Sequence, residues 1–367
     1  MQTSNAFRIA VFPGDGIGGE VIAPTLQVLE HLAVRSGNFA LHFEHLAAGA
    51  KLYQETGTAL PAASLRAARQ ADAILLGAMG DPAIRYQDGT EIAPQLDLRF
   101  AFGLFAGVRP CRAIPGIPLP LADPRARTID FVLIRESTEG LFASRGKGVV
   151  ENDAVARDTM VITRATSERL FDHAFALART RHAQGHAGIV TCVDKANVFA
   201  SFAFFRRIFD ERAARHPDIT ARHGYIDSTA LDFVRKPWDF DVVVTENMFG
   251  DILSDLGAAL VGGMGMAPSA DIGAEHAVFQ PCHGSAPDIA GRGIANPTAT
   301  FLSAAMMLEW LGARHGLVAC DAAAARLRRA VDRLFADGRL LPYEFGGTAD
   351  TAAITRAMLA AIDQDAD

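Results

Sequence analysis

Cysteine, positive charge and long apolar runs are all scarce in this sequence, and each scarcity excludes a class of protein. The 367 residues include only four cysteines. Cys111, Cys192, Cys282 and Cys320 lie far apart and in no metal-ligand spacing, which suits a reducing cytoplasm rather than a disulfide scaffold. The net charge of −7 offers no general basic face to nucleic acid or to an acidic membrane. Any anionic ligand must therefore be held by local cations. No stretch approaches the roughly 18 apolar residues of a membrane span. The apolar run Phe7 to Phe12 is too short for an export signal and ends at Pro13-Gly14-Asp15-Gly16. Internal repeats and low-complexity linkers are also lacking. A cytoplasmic protein with neither nucleic-acid nor membrane partners is expected.

What is present is an ordinary globular composition, 50% hydrophobic and 21% charged, in a chain longer than one core usually supports. Two domains, or two lobes sharing one sheet, follow from that length. The densest chemistry lies in Phe240 to Asp255, which reads as a buried strand feeding a helix. Asp251 and Asp255 stand at i and i+4 on one helical face, where two anions repel unless a cation lies between them. A hard divalent ion such as Mg²⁺ or Mn²⁺ takes such carboxylates together with oxygens of an anionic substrate. The plainer alternative is a solvated acidic helix start, with Asp251 placed for dipole and capping reasons.

Along the chain, Phe7 to Phe12 predicts a strand and Glu20 to Val34 a helix. Gly14, Gly16 and Gly19 between them satisfy G-x-G-x-x-G. That dinucleotide fingerprint needs an acidic residue ending the next strand, but Glu44 falls mid-strand, so a Rossmann pyrophosphate site is disfavoured. Ala78 to Pro94 is a long Gly/Pro/Asp-interrupted loop. Arg99, Arg109 and Arg135 then follow on successive elements, each close to the end of an apolar run. Singly each reads as a surface residue; together they suggest convergence on a polycarboxylate, which guanidinium forks grip bidentately. Gly140 to Asp158 reads as a polar arm or loop. Lys195, at a strand end, is either a base or carboxylate anchor, or a lysine snorkelling at a helix start. Asp227 is read at another strand end. His283 to Gly291 forms a donor-rich loop, and Asn296-Pro297 starts a helix.

Four motifs, in order and spanning essentially the whole chain, resemble the metal-dependent β-decarboxylating dehydrogenases, the isocitrate/isopropylmalate dehydrogenase family. They are Gly14 to Gly18, Val193-Asp194-Lys195-Ala196-Asn197, Phe249 to Asp255, and His283 to Pro297. Asp194 and the run Asp288 to Pro297 look most like the family's isopropylmalate enzymes. The resemblance implies a two-domain α/β fold, not a Rossmann fold. Its first, cofactor-binding domain would be discontinuous (1–104 and 263–367), with an inserted dimerisation and metal/substrate domain (105–262). It implies an NAD-dependent, Mg²⁺- or Mn²⁺-dependent oxidative decarboxylase of a 3-substituted malate, a small anionic hydroxy acid. Arg99, Arg109 and Arg135 would hold its carboxylates, with Gln95 and Phe142 beside it. Asp227, Asp251 and Asp255 would bind the metal, and Lys195 would help remove the C2 hydroxyl proton. Asp227 and Lys195 would come from the partner subunit of a homodimer with shared sites. NAD would lie on His283, Gly284, Ser285, Ala286, Pro287, Asp288, Ile289 and Asn296, with Gly14 to Gly18 toward its nicotinamide side.

Two positions depart from the family pattern. Phe142 stands where the family has a tyrosine thought to protonate the enol, and Gln95 stands where isopropylmalate enzymes present a leucine to the isopropyl group. Gln95 points to a more polar C3 substituent, so tartrate, D-malate or isocitrate is the alternative substrate. Phe142 opens a reading from another class, a non-catalytic regulatory or ligand-binding subunit, which the intact arginines, aspartates and Lys195 oppose. The C3 substituent, the preferred metal, the source of the enol proton and any assembly beyond a dimer stay open at this level.

Overall fold

The computed structural model describes residues 5–364, so the outermost residues of the expected first domain lie outside the described residues. Its organising strand is β1 (Asn5–Gly14). Alternate residues Ile9 and Val11 pack in one core with Ile22, Val28, Leu29 and Leu32 of the following helix α1 (Gly18–Ser36). This is the pairing that the strand's period of two and the helix's 3.6-residue stripe require. β2 (Phe39–His45) flanks β1 on one side. Two short helices, α2 (Ala50–Thr56) and α3 (Ala62–Arg69), come next, and neither was foreseen. β3 (Ala73–Ala78) then flanks β1 on the other side, also parallel.

The chain next lays down the elements bearing the three arginines: α4 (Pro94–Phe102), β4 (Ala106–Arg112) and β5 (Asp130–Glu136). A two-stranded arm, β6 (Val149–Glu151) with β7 (Val155–Arg157), occupies the polar segment, and all six of its strand residues are exposed. α5 (Arg164–Ala183), β8 (Ile189–Asp194) and α6 (Ala200–Ala213) follow. α5 meets α6 through Phe171 against Phe205 and Phe175 stacked on Phe209. β9 (Thr220–Tyr225), α7 (Ile226–Arg235), β10 (Val242–Thr245) and α8 (Asn247–Leu260) complete this half. Asp227 is therefore in the first turn of α7 rather than at a strand end, because β9 ends at Tyr225 and the helix begins at Ile226.

The return segment forms β11 (Pro268–Ile272) and β12 (Ala277–Pro281), a fully buried antiparallel pair that was not foreseen. α9 (Thr298–His315), α10 (Val318–Phe335) and α11 (Thr351–Asp363) close the described chain. Among the described residues no helix is long and apolar enough to cross a membrane.

Ten strands form one sheet in the order β2-β1-β3-β12-β11-β4-β5-β10-β8-β9. Pairing is parallel except at the centre, where β11 runs against both β12 and β4, and β4 against β5. The two parallel halves of the sheet thus point in opposite directions, and each lends one strand across the middle. That reversal brings side chains from residues 99, 109, 135 and 271 into one neighbourhood.

Candidate active site

Asp271, on β11, is the hub of this neighbourhood. Its carboxylate is 1% exposed and accepts hydrogen bonds from Arg99 Nε at 2.9 Å, Arg109 Nη2 at 3.1 Å and Gln280 Nε2 at 3.1 Å. Burial alone would raise its pKa, but Arg99 and Arg109 outweigh that effect and hold it below the usual carboxylate range. Arg109 Nη1 also donates to the Ala270 carbonyl at 3.0 Å, fixing β4 to β11 through its side chain.

Arg135, from β5, approaches α8. Its Nε and Nη2 donate to Asn247 Oδ1 at 2.9 and 2.7 Å, and its Nη1 is ion-paired with Asp251. Burial and the neighbouring Arg99 lower its pKa to about 10, so it remains a cation at neutral pH. The first turn of α8 comes this close because residue 250 is glycine. A Cβ there would lie 2.6 Å from the Arg135 Cβ and Cγ. Glu246 starts α8 by accepting from the Phe249 and Met248 amides at 2.7 and 3.1 Å. The helix is thus capped by Glu246 rather than Asp251.

Asp251 and Asp255 stand one turn apart on α8, as their spacing predicts. Burial and the Asp251 charge together raise the Asp255 pKa. Lys195 and Asp227 do not join this cluster; they pair with each other at 2.7 Å where β8 and β9 end. That bond lowers the Asp227 pKa. Asp194, before Lys195, is fully buried and gripped by Arg206 at 2.7 and 2.8 Å. Among the described residues no trio of His, Cys, Asp or Glu side chains is placed to hold a metal.

The loop from His283 to Ile289 is brought against the Gly14 to Gly18 turn. Ile17 N donates to the Ser285 carbonyl at 2.8 Å, and Ser285 Oγ donates to the Gly80 carbonyl. Ala286 has φ 40°, an uncommon conformation for a residue with a Cβ. Glu20 ties Gly291 and Gly293 to α1 through their amides. Asp288 is exposed. Asn296 is buried, with its amide donating to Glu344 and its Oδ1 accepting from Thr298 N at 3.1 Å.

Several functional neighbours escaped sequence reading. Asp271 had one visible signal, a lone charge in the otherwise uncharged run Ala267 to Ile272. Asn247 and Gln280 had none. Asp15 lies in a predicted motif, yet its role is structural: its carboxylate accepts from the amides of Ala50, Lys51 and Gly80.

Residues 8–362 match the family described as isocitrate/isopropylmalate dehydrogenase. The chain belongs to that family. It is 42% identical over 345 residues to a 3-isopropylmalate/3-methylmalate dehydrogenase of Methanocaldococcus jannaschii, covering 94% of this chain and 95% of that one. It is 39% identical over 364 residues to a probable tartrate dehydrogenase/decarboxylase of Agrobacterium vitis, covering 97% and 96%. The crystal structure of isocitrate dehydrogenase from Methylococcus capsulatus superposes with a TM-score of 0.85 at 34% identity, covering 98% of this chain and 100% of that one. The family assignment makes the protein a β-decarboxylating dehydrogenase with the isopropylmalate dehydrogenase-like α/β fold. Members generally use NAD(P) and a divalent metal, and the residues present fit both. Asp251 and Asp255 form an oxygen-only pair that a hard cation would relieve. His283 Nε2, on the loop facing the Gly14 to Gly18 turn, is buried with no hydrogen-bond partner, a polar atom that a bound ligand would satisfy.

Proposed function

We propose that this family member is an NAD-dependent, Mg²⁺- or Mn²⁺-dependent oxidative decarboxylase of a 3-substituted malate, most similar to 3-isopropylmalate dehydrogenase. The observation that carries this reading is the convergence of Arg99, Arg109 and Arg135 beside Asp251 and Asp255 at the sheet's reversal. The arginine forks hold the two carboxylates and orient C2 and C3. Asp251 and Asp255 hold the cation, joined by Asp227 from a second copy of the chain. When bound, the cation would supply positive charge beside the C2 oxygen and NAD would supply a hydride acceptor. Lys195 of that second copy takes the C2 hydroxyl proton. Phe142 has no proton to give, so the enol is protonated by water or by another group.

Support for a homodimer with shared sites comes from the separation of the Lys195 and Asp227 pair from the metal-side cluster, and from exposed apolar surface. Val149, Val150 and Val155 on the β6–β7 arm are exposed, as are Leu231 and Val234 on α7 and Ile252 on α8. A two-stranded hairpin is marginal alone and gains stability by packing on a neighbour. In this reading, residues 1–104 with 263–367 form the cofactor domain and 105–262 the dimerisation domain. Asp288 faces the adenosine ribose and disfavours the 2′-phosphate of NADP by like-charge repulsion. A cytoplasmic location is part of the same reading, supported by four free cysteines.

One observation favours a second substrate within the class. Gln95 Oε1 is buried without a hydrogen-bond partner, a vacant acceptor that a C3 hydroxyl, as in tartrate, would satisfy. Assaying NADH formation from 3-isopropylmalate, 3-methylmalate, tartrate, D-malate and isocitrate tests the reading. Activity with 3-isopropylmalate, 3-methylmalate or tartrate supports it, and activity with none of these three removes it.

A further inference from the structure

We infer that Asp271 is a specificity-determining residue that sets the charge of the acid this site accepts, favouring dianions with an uncharged C3 substituent over tricarboxylates. This rests on the proposed reading of the three arginines as the carboxylate-binding groups, and it deepens that reading.

Three guanidiniums and three carboxylates (Asp251, Asp255 and Asp271) meet at the sheet's reversal, so the cluster is neutral as the chain builds it. The Lys195 and Asp227 pair adds no net charge if a second copy supplies it. Glu246 faces Arg135 from the start of α8, where the helix N-terminus compensates it. A divalent cation therefore leaves two positive charges, which a malate dianion cancels. A tricarboxylate would leave one anion without a partner in a largely buried site, where such charges are least tolerated. Asp271 decides this balance, because without it the same arginines would present one further positive charge.

Its geometry also turns the arginines. Asp271 takes Nε of Arg99 and one terminal nitrogen of Arg109. Neither terminal nitrogen of Arg99 has a protein partner among the described residues, so that edge of the fork is left for a ligand. The Asp271 carboxylate has no freedom to swing away. Gln280 closes one side of it, and Gly107 packs so tightly that a Cβ there would lie 3.1 Å from Oδ1 and 2.7 Å from Ser137 Oγ. Asp271 thus acts through Arg99 and Arg109 as a positioning residue.

The test is equilibrium binding without turnover. Mn²⁺-loaded protein, with NAD omitted, is titrated calorimetrically with 3-isopropylmalate and tartrate as dianions and with isocitrate as the trianion. Wild type is expected to bind its better dianion at least about tenfold more tightly than isocitrate, the scale of one uncompensated charge in a partly desolvated site. Asp271→Asn should narrow that ratio about tenfold, chiefly by tightening isocitrate. Isocitrate binding wild type as tightly as the dianions overturns the proposal, even if the asparagine variant does not fold. Equal changes for all three acids in a folded Asp271→Asn protein also overturn it. Should none of the three acids bind wild type, the underlying reading of the arginines fails and this inference falls with it.

Discussion

The Phe142 ring lies 5.0 Å from the Arg135 guanidinium carbon, covering the cation that also pairs with Asp251. Phenylalanine at this position shields a buried arginine by a cation–π contact but carries no hydroxyl. In the proposed reaction, oxidation and decarboxylation do not need one, whereas protonation of the enol must draw on water or another group instead. Phe142→Tyr should accelerate that last step if it limits the reaction, by up to the roughly 10²-fold lower range of general acid catalysis. Single-turnover comparison of NADH and ketone appearance checks this. The expected wild-type result is a ketone signal that lags NADH, with the lag shortened in the variant.

Gly250→Ala reverses the usual helix rule. On an open helix face the change stabilises by up to about 1 kcal/mol. Here the new methyl would sit 2.6 Å from two Arg135 carbons, and overpacking of this kind costs roughly 1–3 kcal/mol. A lower midpoint in thermal unfolding is expected, together with weaker binding of the acid as Arg135 is displaced. A higher midpoint would mean that α8 does not rest on Arg135.

Much of this arrangement was legible in the sequence because it rests on local signals. The β1–turn–α1 unit, the Arg135 strand and the Asp251/Asp255 helix each announce themselves by period and by glycine punctuation. The reading failed where non-local pairing decides structure. β11 contains Pro268 and Asp271 and β12 ends at Pro281, residues that lower strand propensity, yet both strands are buried between β3 and β4 and are held there by the sheet. Asp271 was missed for the same reason, since its partners lie 172 and 162 residues away in sequence. Asn247 looked like an ordinary helix-start residue, and only the tertiary approach of β5 shows that it orients Arg135.

Sites shared between two copies predict complementation. Lys195→Ala and Asp251→Asn homodimers should both be nearly inactive. Mixed dimers would carry one doubly damaged site and one intact site. Random reassociation of equal amounts should then recover about a quarter of wild-type activity. No recovery, with mixed dimers shown to form, would place Lys195 and Asp251 in the same protomer's site.

Stability should fall on the acid side through two histidines. Burial lowers the His173 pKa from 6.5 to about 4 and lowers that of His283 as well. At His173 the unfolded chain therefore binds more protons than the folded one between about 4 and 6.5, and that residue's contribution to stability declines as the pH falls through the window. Asp271 adds a second loss at lower pH, because its depressed pKa contributes stability that disappears only as the carboxylate is protonated. Between pH 7.5 and 5 the denaturant midpoint of wild type should fall relative to that of His173→Phe, since only wild type carries the histidine contribution. Equal slopes in wild type and variant would show that His173 is not buried in its neutral form.

Oxidative decarboxylation dependent on a divalent cation shows itself first in product stoichiometry. Purified protein with 3-isopropylmalate or tartrate, NAD and Mn²⁺ should release one CO₂ for each NADH formed. Both products should cease on chelation with EDTA and return when Mn²⁺ is restored. NADH without CO₂, or formation of both undiminished after chelation, would contradict the account.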